Sequence, residues 1–424
     1  MVTKIGNDGN NFIRGTNKND FLSGGNGIDT LVGLKGNDTL IGDKGDDLKF
    51  GGAGNDRLIW NNGDGSDKMR GGGGYDVTEV NGAVDAGDNF ELRANGDRTE
   101  FERLNLINFT LDTNNVEQFE INGLGGNDTL RVQDLTGTDV QQVIFNGGKG
   151  NDLLDASDSS TKITANGGTG SDELIGSSAN DILVGAGGND DIEGEKGDDT
   201  MIGGLGNDTL GWDDGDGSDI MEGDGGYDVT EVDGAVAAGD NFELRANGDR
   251  AEFERLNLGN FTLDTNNVEQ FEINGLGGND TLRVKDLTGT DVQQVIFNGG
   301  KGNDLFDASQ TSVNVSAFGD RGNDSLTGGS GNDVLEGGNG NDILMGGRGA
   351  DTFVLGSNGI DTIADFNFSE GDKLQISSLE FGISSLDALN YDASQQTLSG
   401  NQTELVMLDN LASGFDIANN VELI

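Results

Sequence analysis

Along much of the chain, apolar side chains arrive in short runs within three-residue stretches, each after six mostly small or polar residues, so the pattern repeats every nine positions. In GGSGNDVLEGGNGNDILMGG (328–347) two such phrases stand back to back. A helix repeats every 3.6 residues and a strand every two, so neither accounts for this period alone. A turn followed by a very short strand does. Gly reaches φ > 0 at little steric cost and Asp hydrogen-bonds its own backbone, so G-x-x-G-x-D reads as a turn. The three residues that follow read as a strand with its middle side chain inward. The predicted inward set is Leu174, Leu183, Ile192, Met201 and Leu210 in one tract, and Leu326, Leu335, Leu344 and Phe353 in another. Lys49 falls in an inward slot of GDKGDDLKF (42–50), so that coil is expected to be distorted, with Leu48 or Phe50 turned inward instead.

The phrases form three tracts. The first begins at Gly6 and steps through Gly15, Gly24, Gly33, Gly42 and Gly51; the second runs from Gly167 to Gly203; the third runs from Gly319 to Val354. Single copies stand at 71–79, 123–131, 147–155, 223–231, 275–283 and 299–307. A longer repeat overlies these. Residues 60–157 recur at 212–309 with a constant offset of 152 and about eleven differences, one of them Ile107 against Gly259. Each copy carries an insert outside the regular tracts, such as FELRANGDRTEFERLNLINFTLDTNNVEQFEINGLGGNDTLRV (90–132). Its apolar and polar residues alternate around an Asn95-Gly96 turn, which predicts short strands that extend the stack with larger coils. Because the second copy tolerates Gly, residue 107 is expected to lie outside.

Composition changes the picture next. Only 33% of the 424 residues are hydrophobic, 75 are Gly, and 76 acidic residues face 25 basic ones for a formal charge of −51. Low hydrophobicity with high net charge marks a chain that does not fold unaided. A cation must offset the charge, and nucleic acid or an anionic membrane is excluded as an electrostatic partner. There is no Cys and no His. Thiolate zinc sites, disulfides and His-dependent catalytic constellations are therefore excluded. No stretch approaches the ~18 apolar residues of a membrane-spanning helix, so no membrane insertion is expected.

If two phrases make one coil, residues 18 apart stack on neighbouring strands about 4.8 Å away. Asp172 then lies over Asp190, Asp181 over Asp199, and Asp324 over Asp342. At effective dielectrics of about 20 to 80, each stacked carboxylate pair costs about 1–3 kcal/mol. A cation between them reverses the sign. The candidate ligands are Asp20, Asp29, Asp38, Asp47, Asp56, Asp76, Asp128, Asp152, Asp172, Asp181, Asp190, Asp199, Asp208, Asp228, Asp280, Asp304, Asp324, Asp333, Asp342 and Asp351. Asp333 is expected to share a site with Asp351. Carboxylate and carbonyl oxygens around a flexible turn suit Ca²⁺, whereas Mg²⁺ demands a tighter octahedron. The rival reading is a metal-free solenoid whose Asp residues merely form Asx turns. Asn would serve that role equally, yet the sixth slot is Asp in almost every phrase; Asn11, in the first phrase, is the exception.

The nonapeptide GGxGxDxUx, as in GGAGNDRLI (51–59) and GGTGSDELI (167–175), resembles that of the RTX (repeats-in-toxin) family. The resemblance implies an all-β fold, a right-handed parallel β-roll or β-solenoid with multiple calcium ions in its turns, here carrying duplicated β-helix-like inserts. Residues 350–377 also resemble the cap of secreted serralysin-type RTX proteins through Asp361, Ile363, Asp365, Phe366, Gly371, Asp372 and Leu374. That implies export by a type I secretion exporter reading a C-terminal signal, and no apolar leader is visible in MVTKIGNDGNNFIRG. The domain expectation is a first roll tract at 1–79, an insert at 80–157, a second tract at 158–231, a second insert at 232–309, a third tract at 310–354, and cap plus signal at 355–424. The chain reads as a secreted or surface-associated calcium-binding structural protein and not an enzyme. Two rival functions stay open: an adhesion module for cell-surface polysaccharide, and an enzyme built on Glu100 and Glu102, with Glu252 and Glu254, in the inserts. The neighbouring Arg98 and Arg103 make a charge ladder the expected role of those carboxylates. Trp60, Trp212, Tyr75 and Tyr227 are expected to pack.

Overall fold

The computed structural model describes residues 1–356, 358–409, 411 and 414–424. Ser357 of the cap phrase, and Asn410, Ala412 and Ser413 of the expected secretion signal, lie outside the described residues. The chain divides into two compact units, Met1–Leu210 and Gly211–Ile424.

In the first unit each short strand pairs in parallel with the strand one coil further on. Phe21–Ser23 pairs with Thr39–Ile41, and that with Arg57–Asn61, in the register Leu22, Leu40, Leu58. On the opposite side Phe12–Arg14, Thr30–Lys35, Leu48–Ala53 and Lys68–Gly73 pair in the same way. Two parallel sheets thus face each other across a core one side chain deep, as nine-residue half-coils require. The middle residue of each strand fills it: Leu22, Leu31, Leu40 and Leu58 are fully buried, as is every inward residue predicted for the second and third tracts.

Lys49 departs from expectation. The coil is undistorted: Lys49 stays in register between Leu31 and Met69 and is fully buried, while Leu48 and Phe50 remain half-exposed. Its Nζ lies 2.9 Å from the equally buried Asp67 Oδ2 and also donates to the Ile59 carbonyl. A buried ammonium survives where a carboxylate and a carbonyl replace its water.

The insert replaces turns with a lateral excursion. Asn89–Asn95 and Arg98–Arg103 form an antiparallel hairpin, and Phe109–Asn114 returns antiparallel to the second of them. The hairpin loop is Gly96-Asp97, one residue later than predicted, with Gly96 at φ 71°. The outer strands rejoin the roll in parallel, Asn89–Asn95 against Thr129–Val132 and Phe109–Asn114 against Lys68–Gly73. Gln118–Asn122 lies in register between Val77–Asn81 and Gln142–Lys149, as coil extension predicts. Aromatic rings fill the wider section: Trp60 stacks on Phe109 at 3.7 Å between centroids, and Phe101 packs against Phe90, Phe109 and Phe119. Ile107 is exposed.

The second unit repeats this excursion with Asn241–Asn247, Arg250–Arg255 and Phe261–Asn266. Its third tract stacks Leu305–Asp307, Ser325–Thr327 and Ile343–Met345 on one side, and Asn314–Phe318, Val334–Glu336 and Thr352–Leu355 on the other. The cap then extends both sheets, Thr403–Leu408 pairing with Asp361–Ile363, and Val421–Leu423 with Lys373–Ile376. Among the described residues no helix is long and apolar enough to cross a membrane.

Candidate metal centre

All twenty predicted aspartates are buried, at 2% exposure or less. Their spacing in sequence becomes vertical stacking in space. Within each ladder the backbone N–H of one Asp donates to Oδ1 of the Asp one coil further on. One ladder links Asp20, Asp38, Asp56 and Asp76 at 2.7, 2.8 and 2.8 Å. A second links Asp29, Asp47 and Asp67 at 2.7 and 2.8 Å. A third runs from Asp88 through Asp128, Asp152, Asp172 and Asp190 to Asp208. Asp181 donates to Asp199, as expected from the spacing. In the second unit Asp240, Asp280, Asp304, Asp324, Asp342 and Asp361 form one ladder, and Asp333, Asp351 and Asp372 another. Asp76 and Asp228 donate instead to Glu117 Oε2 and Glu269 Oε2.

An N–H between stacked carboxylates relieves part of the repulsion foreseen from spacing alone. It satisfies only one oxygen. In Asp29, Asp38, Asp47, Asp56, Asp76, Asp128, Asp152, Asp172, Asp190, Asp280, Asp304, Asp324 and Asp342 the buried Oδ2 has no hydrogen-bond partner. Such a group is costly unless something else occupies its lone pairs. The first Gly of the phrase makes room for it, since a Cβ on Gly24, Gly42, Gly147 or Gly337 would overlap Oδ2 of the Asp five residues on. The fourth-position Gly meets the preceding turn: a Cβ on Gly54 or Gly340 would overlap the carbonyl oxygen of Gly36 or Gly322.

The electrostatics agree. Burial first, and neighbouring carboxylates after it, push Asp47, Asp128, Asp324 and Asp351 up to about 7. Asp56, Asp172 and Asp190 rise to about 6 for the same reasons. Among the described residues no three acidic side chains are grouped so as to hold a metal ion by themselves. A cation in these turns would therefore take one carboxylate oxygen from a phrase and complete its shell with backbone carbonyls, a donor set suited to a hard ion of high coordination number.

Not every predicted ligand has this form. Asp333 accepts from Val315 N–H at 2.9 Å and Gly329 N–H at 2.7 Å, so both its oxygens are engaged. Asp181 and Asp20 are engaged in the same manner. Conversely Asp67, Asp88, Asp219, Asp240, Asp361 and Asp372 are buried with the candidate set, although none of their phrases has the leading Gly-Gly pair. Their signal survives as Asp-x-apolar: Asp67-Lys68-Met69, Asp88-Asn89-Phe90, Asp372-Lys373-Leu374.

The insert carboxylates are ion-paired. Arg93, on the neighbouring strand, lies 3.0 Å from both Glu100 and Glu102. Burial alone would raise the Glu102 carboxyl, but hydrogen bonds from Arg93 and its neighbours bring it below the ordinary range. Arg245 likewise forms ion pairs with Glu252 and Glu254. The flanking arginines behave otherwise than expected: Arg98 pairs with Asp112, and Arg103 is buried against Asp88. Trp60 packs, its Nε1 donating to the Gly65 carbonyl, and Tyr75 Oη meets Gln118. A hollow of about 610 Å³ opens beside Arg103, rimmed by Val84, Leu106 and Ile107. Neither Glu100 nor Glu102 lines it.

The RTX calcium-binding nonapeptide repeat (4 copies) matches residues 5–27, 23–58, 164–192, 175–210 and 318–353. No curated protein matches the chain. Among solved structures it is similar to the extracellular lipase LipA from Serratia marcescens, at 21% identity over 65% of this chain and 45% of that chain, with a TM-score of 0.24. The match spans less than half of the lipase, and a likeness this slight carries no argument about activity.

Proposed function

We propose that this chain, whose glycine-rich tracts are RTX calcium-binding nonapeptide repeats, is a secreted protein that folds when it meets calcium outside the cell and then serves as a structural or surface-associated element. The observation behind this reading is the row of buried carboxylate oxygens without partners. A polypeptide that buries them must either neutralise them or stay unfolded. Ca²⁺ held by Oδ2 of residues such as Asp38, Asp56, Asp172 and Asp342, with carbonyls of the turns, would supply the missing charge.

Extracellular calcium modules bind with constants of about 10⁻⁴–10⁻³ M. At ten times such a constant each ion stabilises by about 1.4 kcal/mol. Ten ions then contribute about 14 kcal/mol, comparable to a whole domain's stability of about 5–15 kcal/mol. At submicromolar calcium that contribution vanishes and the chain stays open, the state a type I exporter would thread. The C-terminal segment 355–424 is the proposed export signal, and deleting it should stop secretion. The inserts take a packing role in this reading, because Glu102 is held ionised by Arg93, the opposite of what a general acid needs. Binding of cell-surface polysaccharide is the outcome to watch for on a glycan array.

The decisive experiment is circular dichroism of the full chain in chelator, then with calcium or magnesium. We expect a coil-like spectrum in chelator and a cooperative gain of β-signal with calcium, with magnesium far weaker. A β-spectrum that persists in chelator would overturn the proposal.

A further inference from the structure

The aspartate turns are of two kinds, separated by the second residue of the phrase. In the open kind that residue is left-handed, as at Gly25 (φ 95°), Leu34 (φ 90°), Ala186 (φ 78°) and Asp320 (φ 63°). Its N–H then turns away, and Oδ2 of the Asp four residues on has no partner. In the closed kind it is not left-handed. Its N–H donates to that oxygen: Thr16 to Asp20 at 2.5 Å, Ser177 to Asp181 at 2.6 Å, Gly329 to Asp333 at 2.7 Å. Asp88 and Asp240 are closed by Ala83 and Ala235, both at 2.7 Å. Their Oδ1 atoms face a guanidinium, Arg103 Nε at 2.8 Å and Arg255 Nε at 2.7 Å.

The identity of the second residue does not decide which kind forms, since Gly329 is closed and Leu34 is open. Place in the ladder does: the closed turns stand at ladder ends, and Asp372, the last rung after Asp333 and Asp351, is also closed, by the Asn367 N–H at 2.7 Å. What precedes Asp20, Asp181 and Asp333 is the N–H of Val2, Ile163 or Val315, where an interior rung has an Asp. Asp88 and Asp240 likewise begin their ladders. The ladder of Asp29 begins with Asn11, whose neutral amide stands where these others carry a satisfied carboxylate. Gly329 shows the cause. The segment before it is not a glycine turn, and the carbonyls of Thr311 and Ala308 would lie 2.5 and 2.7 Å from a Cβ built there.

We propose that the closed carboxylates that begin their ladders, Asp20, Asp88, Asp181, Asp240 and Asp333, are metal-free end rungs, so that calcium enters only the open turns beyond them. This rests on reading the open turns as calcium sites. An end rung has no aspartate turn before it with which to share an ion. A buried carboxylate there needs a partner from the chain itself, and a backbone amide or an arginine provides one. The end rungs can therefore close before any metal arrives and present a shaped turn to the next one.

The test counts ions on the full chain by native mass spectrometry in calcium, beside the calcium midpoint of the β-signal. Asp333→Asn should keep the wild-type ion number, and Asp342→Asn should lose at least one ion. Should Asp333→Asn fail to fold, the pair Asp20→Asn and Asp38→Asn decides the matter in the first tract. An end-rung variant that loses as many ions as its interior partner overturns this inference alone. A wild-type chain that binds no calcium overturns the proposed function instead.

Discussion

Replacing Lys49 by Met keeps the length and most of the volume of the side chain and deletes only its charge. The ammonium lies 2.9 Å from Asp67 Oδ2, with neither side chain exposed. Asp67 would keep a single hydrogen bond, the 2.8 Å contact from Asp47 N–H to Oδ1. Breaking a buried pair from one side typically costs about 3–5 kcal/mol, because the remaining charge is uncompensated. Burial raises the Asp67 carboxyl, and Lys49 is the largest influence opposing it. Lys49→Met should therefore destabilise the first unit by about 3–5 kcal/mol in urea unfolding at neutral pH and saturating calcium. Removing both charges restores consistency, so Lys49→Met with Asp67→Asn should recover most of the loss, a coupling measured as a double-mutant cycle. A single variant within about 0.5 kcal/mol of wild type, or a double variant no better than Lys49→Met, would show that the pair does not hold this coil.

In chelator, pH should act in place of the metal. Asp47, Asp128, Asp324 and Asp351 have folded values near 7, above the ordinary 3.8, so the folded state binds protons more tightly. Their contribution is fully present below about pH 4 and lost as pH rises through about 7, and metal-free chain should gain β-signal on acidification with light scattering held flat. A signal that falls, or does not move, would refute this. Leu335→Ala removes a fully buried side chain in register with Ala317 and Phe353 and should cost about 2–5 kcal/mol by calcium-saturated urea unfolding. Met345→Ala, an exposed position on the opposite sheet, should stay within about 0.5 kcal/mol. Ile107→Gly should cost at most about 1 kcal/mol, from backbone entropy alone, since the side chain faces solvent; several kcal/mol would place it in the core.

The nine-residue period made the stack legible because one turn and one inward residue repeat without regard to distant contacts. Leu174 over Ile192 follows from counting. Lys49 was misread because a propensity argument sees one residue, and its counter-ion is a coil away in Asp67. Asp88 and Asp128 are stacked although forty positions apart, because the hairpin leaves the roll and returns. Stacking belongs to space, and constant spacing reveals it only where no excursion intervenes. The difference between Asp333 and Asp342 was hidden for a related reason. Both stand in the phrase GGxGND, and what precedes each in the ladder decides how its oxygens are used.

The excursion of the insert has a consequence for how such a chain can change over generations. In the first unit it departs beside Val77–Asn81 and Lys68–Gly73 and is followed by Gln142–Lys149, with Val80, Ile121 and Phe145 aligned across the join. Strand direction and side-chain phase are the same after the detour as before it. A block of genetic material bounded by such points can be copied, lost or exchanged with no frame to repair, because the neighbours on either side present the same edge. The near-identity of residues 60–157 and 212–309 is what such a copying event would leave behind. A lineage could set the length of this protein by recombination between equivalent blocks, one excursion at a time.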